Sequence, residues 1–210
     1  MPFSIMAAIA RDGAIGQNGG LPWLRLRGDM RWFGAITTAV HPSKMAHHFI
    51  CYPQTVTIAQ SLHVEALRHT EGNAVIMGWK THKAIGHLLF GRKNIVLRDK
   101  TAHGFGEWDC KARTLNEALE NAAKMQCSNI FVIGGAQVFR EGLQHPDCER
   151  LYLTEIDKEY PNAGTWWSER RIAWGAGRMQ SEALWMRASM SAYIQEPERP
   201  RYRFGVWERV

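Results

Sequence analysis

The chain has 210 residues, 45% of them hydrophobic and 22% charged, which is the size of one domain with enough apolar side chains to bury a core. Lys and Arg number 26 against 20 Asp and Glu, a net charge of +6 that favours an anionic partner, either nucleic acid or a polyanionic small molecule. No apolar run reaches the ~20 residues that cross a bilayer, which excludes a membrane-spanning helix. The four cysteines form no Cys-x-x-Cys pair, so they point to neither a zinc cage nor a disulfide scaffold, and a reducing, cytoplasmic compartment fits best.

Phe3 to Ala10 is a nearly continuous apolar run with no basic stretch before it; it does not look like a signal peptide and reads as a strand buried on both faces. Gly16-Gln17-Asn18-Gly19-Gly20-Leu21-Pro22-Trp23 then reads as a glycine-rich loop that ends in an anchored apolar pair and can move over a site. A helix is expected from about Arg27 to Ile36, with Asp29 and Phe33 four residues apart on the inward face that also carries Ile36. A carboxylate there either contacts a ligand or handles a proton, or else it is a first-turn charge that favours the helix dipole.

From Val40 to Gly72 the residues are mixed and His-rich, with Pro42, Pro53 and one helix-like patch from Ser61 to Arg68; the stretch reads as a surface insertion. His47 and His48 are adjacent, so their side chains do not converge on one ion, no third ligand has suggestive spacing, and no metal site is expected. Apolar runs return at Ala74 to Met77, Asn94 to Leu97, Ile130 to Ile133 and Leu151 to Thr154. Between them lie a helix from Leu115 to Met125, with Thr114 and Glu117 at capping-box spacing, and a shorter one after Gly135. The expected fold is therefore α/β: a single domain over 1–210 with a central, mainly parallel sheet, flanking helices and a C-terminal antiparallel hairpin that includes Tyr202, Phe204, Val206 and Trp207.

Gly134-Gly135 follows a strand and opens a helix, where backbone can approach a ligand closely and free N–H groups face an anion, unless the pair is only a tight turn. Met77-Gly78-Trp79-Lys80-Thr81 repeats the arrangement, with a charge and a hydroxyl added. Two such turns at strand carboxyl ends suggest a ligand with two phosphates.

Taken in order, Ile5-Met6-Ala7-Ala8, Ile15-Gly16, Leu21-Pro22-Trp23, Asp29 with Trp32-Phe33, Val75-Ile76-Met77-Gly78 with Lys80-Thr81, Gly91-Arg92-Lys93-Asn94-Ile95-Val96-Leu97, Val132-Ile133-Gly134-Gly135-Ala136 and Leu151-Tyr152-Leu153-Thr154-Glu155-Ile156-Asp157 resemble the dihydrofolate reductase family. The resemblance covers nearly the whole chain outside Val40 to Gly72. It implies that fold and a cytoplasmic monomer that transfers hydride from NADPH to 7,8-dihydrofolate and binds antifolates, with no nucleic-acid or membrane partner. It further implies that Asp29 grips the 2-amino and N3 edge of the pterin and promotes protonation at N5, with Thr154 hydrogen-bonded to the same carboxylate. Phe33 would pack on the pterin, and Arg92 would pair bidentately with the α-carboxylate of the glutamate tail. Leu21 and Trp23 would belong to the mobile active-site loop, and Ala8 would offer backbone contacts to the nicotinamide amide. Ile15, Gly16, Gly78, Trp79, Lys80, Thr81, Arg98, Gly134, Gly135, Ala136 and Gln137 stand at cofactor positions, with Gly134-Gly135 where the family carries a non-proline cis peptide.

The departures cluster in the adenosine half of the cofactor site. Trp79 replaces a usual Arg or Lys near the 2′-phosphate, Arg98-Asp99 replaces a Ser followed by Ser or Arg, His82 replaces a Trp, Phe90 a Pro and Phe139 a common Tyr. Arg98 is the nearby compensator if its side chain turns toward that pocket, although strand alternation can also point it away. Two other readings stand beside the reductase: a non-catalytic homologue serving as a structural subunit, and a reductase of similar fold acting on a pyrimidine intermediate of riboflavin synthesis. Retention of Asp29, Thr154, Phe33 and Arg92 together speaks against the first, and Leu21-Pro22-Trp23 with Asp29 against the second.

Overall fold

The computed structural model describes residues 1–38, 72–98, 108–167, 178–180 and 184–210. The expectations placed on the Val40 to Gly72 insertion, including His47-His48 and the patch from Ser61 to Arg68, therefore lie outside the described residues except for Gly72, and so does Asp99.

In chain order the elements are β1 Phe3–Ala10, β2 Ala14–Gly16, α1 Arg27–Thr37, β3 Asn73–Gly78, α2 Trp79–Ile85, β4 Arg92–Leu97, β5 Cys110–Ala112, α3 Leu115–Lys124, β6 Asn129–Val132, α4 Ala136–Gln144, β7 Cys148–Ile156, β8 Thr165–Trp166, β9 Arg178–Gln180, β10 Leu184–Met190 and β11 Tyr202–Arg209. Among the described residues the main sheet has the order β5-β4-β3-β6-β1-β7-β11-β10-β9. The pairs from β5 to β7 are parallel, while β11, β10 and β9 add antiparallel to the β7 edge. The expected hairpin is present and extends one strand further: the last strand, β11, lies inside the sheet against β7, and β10 and β9 follow outward.

Continuous apolar runs form the parallel strands because both faces of the sheet are covered. Ile5, Ile9, Ile76, Ile95, Val132 and Leu153 face one core, closed by Leu115 and Leu119 of α3 and by Val138, Phe139 and Leu143 of α4. Met6, Val75, Met77, Val96, Phe131 and Tyr152 face the other, closed by Trp32 and Ile36 of α1. Trp32 stacks on Phe204 of β11 at 4.7 Å between ring centroids, which ties α1 to the antiparallel edge.

Two connections leave the sheet in opposite directions. The chain passes from β1 through α1 to β3 on one side, and from β6 through α4 to β7 on the other. The two connections thus cross over each other's strands on opposite faces of the sheet, with α1 against one core and α4 against the other. α1 begins beside the end of β7, where Asp29 meets Thr154, and finishes beside the start of β3, where Asn73 Nδ2 donates to the Thr37 carbonyl. It therefore runs down the whole height of the sheet.

Capping of α3 differs in one detail from the expected box. The Thr114 hydroxyl accepts from the Glu117 N–H at 3.2 Å, but Glu117 Oε2 accepts from the Arg113 N–H, one residue before the cap, at 2.8 Å. Thr114 still satisfies one of the orphaned donors of the first turn. Thr114→Ala should cost about 1 kcal/mol, lowering the thermal midpoint by about 2–4 °C in a chain of this size; a calorimetric scan checks it.

Candidate active site

Asp29 lies in the first turn of α1 and is 5% exposed. Its inward position follows from the helical repeat, which groups it with Trp32 and Ile36. The Thr154 hydroxyl donates to Asp29 Oδ1 at 2.7 Å, leaving Oδ2 for another donor. Burial pushes the Asp29 carboxyl up to about 6, against the Thr154 hydrogen bond, which lowers it, and with a smaller upward push from the nearby Glu196 charge. A carboxyl with that acidity holds or releases a proton close to neutral pH.

Eight residues further along α1, about 12 Å at the helical rise, the chemistry changes sign. Arg92, at the start of β4, donates from Nη1 to the Thr37 hydroxyl at 2.6 Å and from Nε to the Phe90 carbonyl at 3.1 Å. Its guanidinium lies 5.5 Å from the centre of the Phe33 ring. Burial lowers its pKa to about 10, so it remains a cation at neutral pH. The carboxylate at one end, the aromatic face between and the guanidinium at the other form one strip along α1. Such a strip suits a flat ligand with an N–H-rich edge at one end and a carboxylate at the other.

The glycine turns lie side by side because β3 and β6 are neighbours. The Gly78 N–H donates to the Gly134 carbonyl at 2.7 Å, and the Gly134–Gly135 peptide bond is cis. A Cβ on Gly135 would come within 3.2 Å of the Thr81 hydroxyl, and one on Gly134 within 3.0 Å of the Phe139 ring, so side chains there would crowd both turns. Gly135 caps α4 without a side-chain bond, which leaves N–H groups of the first turn for an anion. Ala8 stands in register with Thr154 at the adjoining ends of β1 and β7, between the strip and the glycine turns. This cradle of glycines, backbone N–H groups and the Thr81 hydroxyl fits a diphosphate-bearing nicotinamide cofactor.

On the far side, Trp79 is in an aromatic cluster with His82 at 5.6 Å and Trp108 at 6.0 Å. The Arg98 guanidinium lies 4.2 Å from the Trp79 ring and 5.5 Å from that of Trp108. Arg98 thus turns to the same side as Trp79, the first of the two orientations that strand alternation allows. Burial lowers the pKa of His82, whose Nδ1 is buried and has no partner among the described residues.

Not every expected residue joins these groups. Leu21 is 45% exposed, so only Trp23 of the expected apolar pair is anchored, through Tyr160 at 5.7 Å between rings. The loop before it closes as a tight turn, with reciprocal backbone bonds between Gln17 and Gly20. Ile15 is in the core, and Gly16 packs beside Thr165 where β2 pairs with β8. Lys80 is exposed, as is Gln137, which donates to Glu141; Ala136 is half-buried at the start of α4.

Sequence reasoning missed Glu196, Tyr202 and Gly28. The N-cap of α1, Leu26, has no capping side chain, and that deficit was the available signal. Glu196 fills it from the β10–β11 connection, accepting from the N–H groups of Arg27 at 3.0 Å and Gly28 at 2.8 Å and from the Tyr202 hydroxyl at 2.6 Å. Gly28 is needed because a Cβ there would run into the Tyr202 hydroxyl.

A dihydrofolate reductase family model matches residues 60–183. The dihydrofolate reductase of Aedes albopictus is 28% identical over 166 residues, covering 75% of each chain. That of Heliothis virescens is 30% identical over 165 residues, covering 75% of this chain and 74% of the other. The bifunctional dihydrofolate reductase-thymidylate synthase of Zea mays is 32% identical over 164 residues, which is 73% of this chain but 26% of that longer protein. With this geometry, a family model spanning more than half of the residues and a relative matched over most of its length, the chain belongs to the dihydrofolate reductase family.

Proposed function

We propose that the chain reduces 7,8-dihydrofolate to 5,6,7,8-tetrahydrofolate, with NADPH as its nicotinamide cofactor, and works as a cytoplasmic monomer open to antifolates. The observation that carries this reading is the strip along α1, with a buried carboxylate of raised pKa at one end and a half-buried guanidinium at the other. The nine-stranded sheet takes in strands from β1 through β11, which supports one domain over 1–210. Cys110, Cys127 and Cys148 are free thiols, in keeping with a reducing compartment.

In this reading Asp29 Oδ2 accepts from the 2-amino and N3 edge of the pterin, while Thr154 holds Oδ1 and fixes the plane of the carboxylate. Asp29 thereby promotes protonation at N5. Phe33 packs on the pterin, Arg92 takes the α-carboxylate of the tail, Ala8 offers backbone contacts to the amide of the nicotinamide, and Trp23 with Leu21 closes the site from the loop. Gly78, Lys80, Thr81, Gly134, Gly135, Ala136 and Gln137 hold the diphosphate side, with Ile15 and Gly16 near the nicotinamide and Trp79 and Arg98 on the adenosine side. When bound, the cofactor supplies the hydride, and this chain supplies alignment, a dry pocket and one carboxylate.

Asp29→Asn keeps size and removes the acid, so turnover at neutral pH should fall by roughly 10²-fold or more and recover only at low pH, where the substrate is already protonated. Near-normal neutral turnover would leave Asp29 as a first-turn charge. The same substitution reads out on stability without any ligand. Since the Asp29 pKa rises from 3.8 to about 6 on folding, ionisation costs stability as pH climbs through that window. The variant should match the parent below about pH 4 and exceed it above about pH 6, by up to about 3 kcal/mol; denaturant titrations across pH measure it.

Arg92→Leu should weaken dihydrofolate and antifolates with a glutamate tail by about 2–4 kcal/mol, and small lipophilic antifolates far less. Equal losses in both inhibitor classes would make Arg92 structural. For cofactor choice, Arg98 is the cation beside Trp79, so NADPH should be preferred over NADH less strongly than is usual, with Arg98→Ala erasing most of that preference. kcat/KM for both cofactors in parent and variant decides it: a strong preference kept in Arg98→Ala removes Arg98 from the site.

A further inference from the structure

We propose that Glu196 is a positioning residue for Asp29: from the β10–β11 connection it closes the first turn of α1, holds that turn against β11 and sets a negative charge beside the site. The inference rests on reading Asp29 as the proton-handling group. Its geometry is independent of that reading. An α-helix leaves its first N–H groups without internal partners, and here a carboxylate 168 residues away takes two consecutive ones, at Arg27 and Gly28, immediately before Asp29. The Tyr202 hydroxyl donates to the same Glu196 Oε1 that accepts from Gly28, so β11 fixes where the carboxylate stands. Gly28 has no side chain to block that approach. A cap on the residue before the helix would satisfy these donors as well, but a local Ser or Asp would not bind the helix start to the strand that flanks β7.

The charge arrangement follows. The groups that face Asp29 are the Thr154 hydroxyl on β7, the Tyr202 phenol on β11 and the Glu196 carboxylate, while Arg27 on α1 faces Glu196. Burial works against ionisation of Glu196, yet hydrogen bonds from Gly28, Tyr202 and Arg27 outweigh it and hold its carboxyl below the ordinary range. Glu196 is therefore ionised where Asp29 titrates. Its negative charge both offsets the positive end of the helix dipole and disfavours a second charge on Asp29. Each effect keeps the proton on Asp29 to higher pH.

Glu196→Gln keeps the shape and one acceptor oxygen but removes the charge. With the carboxyl carbons of aspartate and glutamate isotopically labelled, the Asp29 titration midpoint in the ligand-free protein should fall by about half a unit to one unit in Glu196→Gln and stay near the parent value in Glu196→Asp. kcat/KM on the alkaline side should fall by about 3- to 10-fold in Glu196→Gln, with the acid plateau unchanged. An Asp29 midpoint unmoved in a folded Glu196→Gln protein overturns the proposal, whatever the melting temperature does. A second measurement needs no variant: in the parent, the Glu196 resonance should show an inflection at the Asp29 midpoint, because the two charges are coupled; its absence also overturns the proposal. Both titrations are read without turnover, so they fail or succeed separately from the reductase assignment, which the Asp29→Asn assay tests.

Discussion

Almost everything about this site turns on putting a carboxylate where water does not reach. An isolated ionised carboxylate in a protein interior is unfavourable by several kcal/mol, and a protein meets that cost with hydrogen bonds, with an opposite charge or by leaving the group protonated. Among the described residues no opposite charge faces it: Asp29 has a hydroxyl, Thr154, and a like charge, Glu196, and burial dominates both. The structure leaves Asp29 balanced between its two forms near neutral pH. A lysine or arginine in place of Thr154 would quiet the group and deprive it of any use as a proton handler. Thr154 can play its part because β7 pairs with β1 in the register that sets Thr154 opposite Ala8, at the carboxyl end of the sheet where α1 starts.

In the proposed reading, the fold separates two kinds of recognition that differ in what they ask of the chain. The strip along α1 uses side chains, spaced by the helical repeat and backed by a core of Trp32, Ile36 and Phe204. The cradle at the ends of β3 and β6 uses backbone, and works because glycines let two turns pack against each other, with Gly78 bonded to Gly134. The sheet brings these together, since β7, which holds Thr154 against Asp29, pairs with β1, and β1 pairs with β6, whose end carries the glycine turn.

What the sequence made legible was whatever repeats. The five apolar runs are strands, and the 3.6-residue patterns before Ile36 and after Thr114 are helices, ending within one residue of where the periodicity stops. Asp29 stood out because an acid on an apolar stripe is a conflict that local physics does not resolve. The short strands β2, β5, β8 and β9 have two or three residues each, too few for an alternation to register. A Leu-Pro-Trp triplet looks like a packed unit in the sequence, but Trp23 is buried while Leu21 faces solvent. The cap on α1 was invisible for a different reason: Glu196 and Gly28 are joined only by the fold, and nothing in the spacing of the chain links them. Leu26, a residue that cannot cap, was the trace they left.

The adenosine side illustrates how substitutions that look damaging one at a time can be coherent together. Trp79 removes an expected cation and His82 an expected indole, but the two rings pack on each other and on Trp108. That packing makes an aromatic surface over which the Arg98 guanidinium lies, at 4.2 Å from the centre of the Trp79 ring. A guanidinium over an indole is attracted by the negative face of the ring. In the proposed reading, the cation on this side therefore stands after β4 and not at the start of α2, and Trp79 supplies part of the aromatic surface beside it. His82 remains neutral in that setting, because burial lowers its pKa, and so it adds no second cation to the cluster.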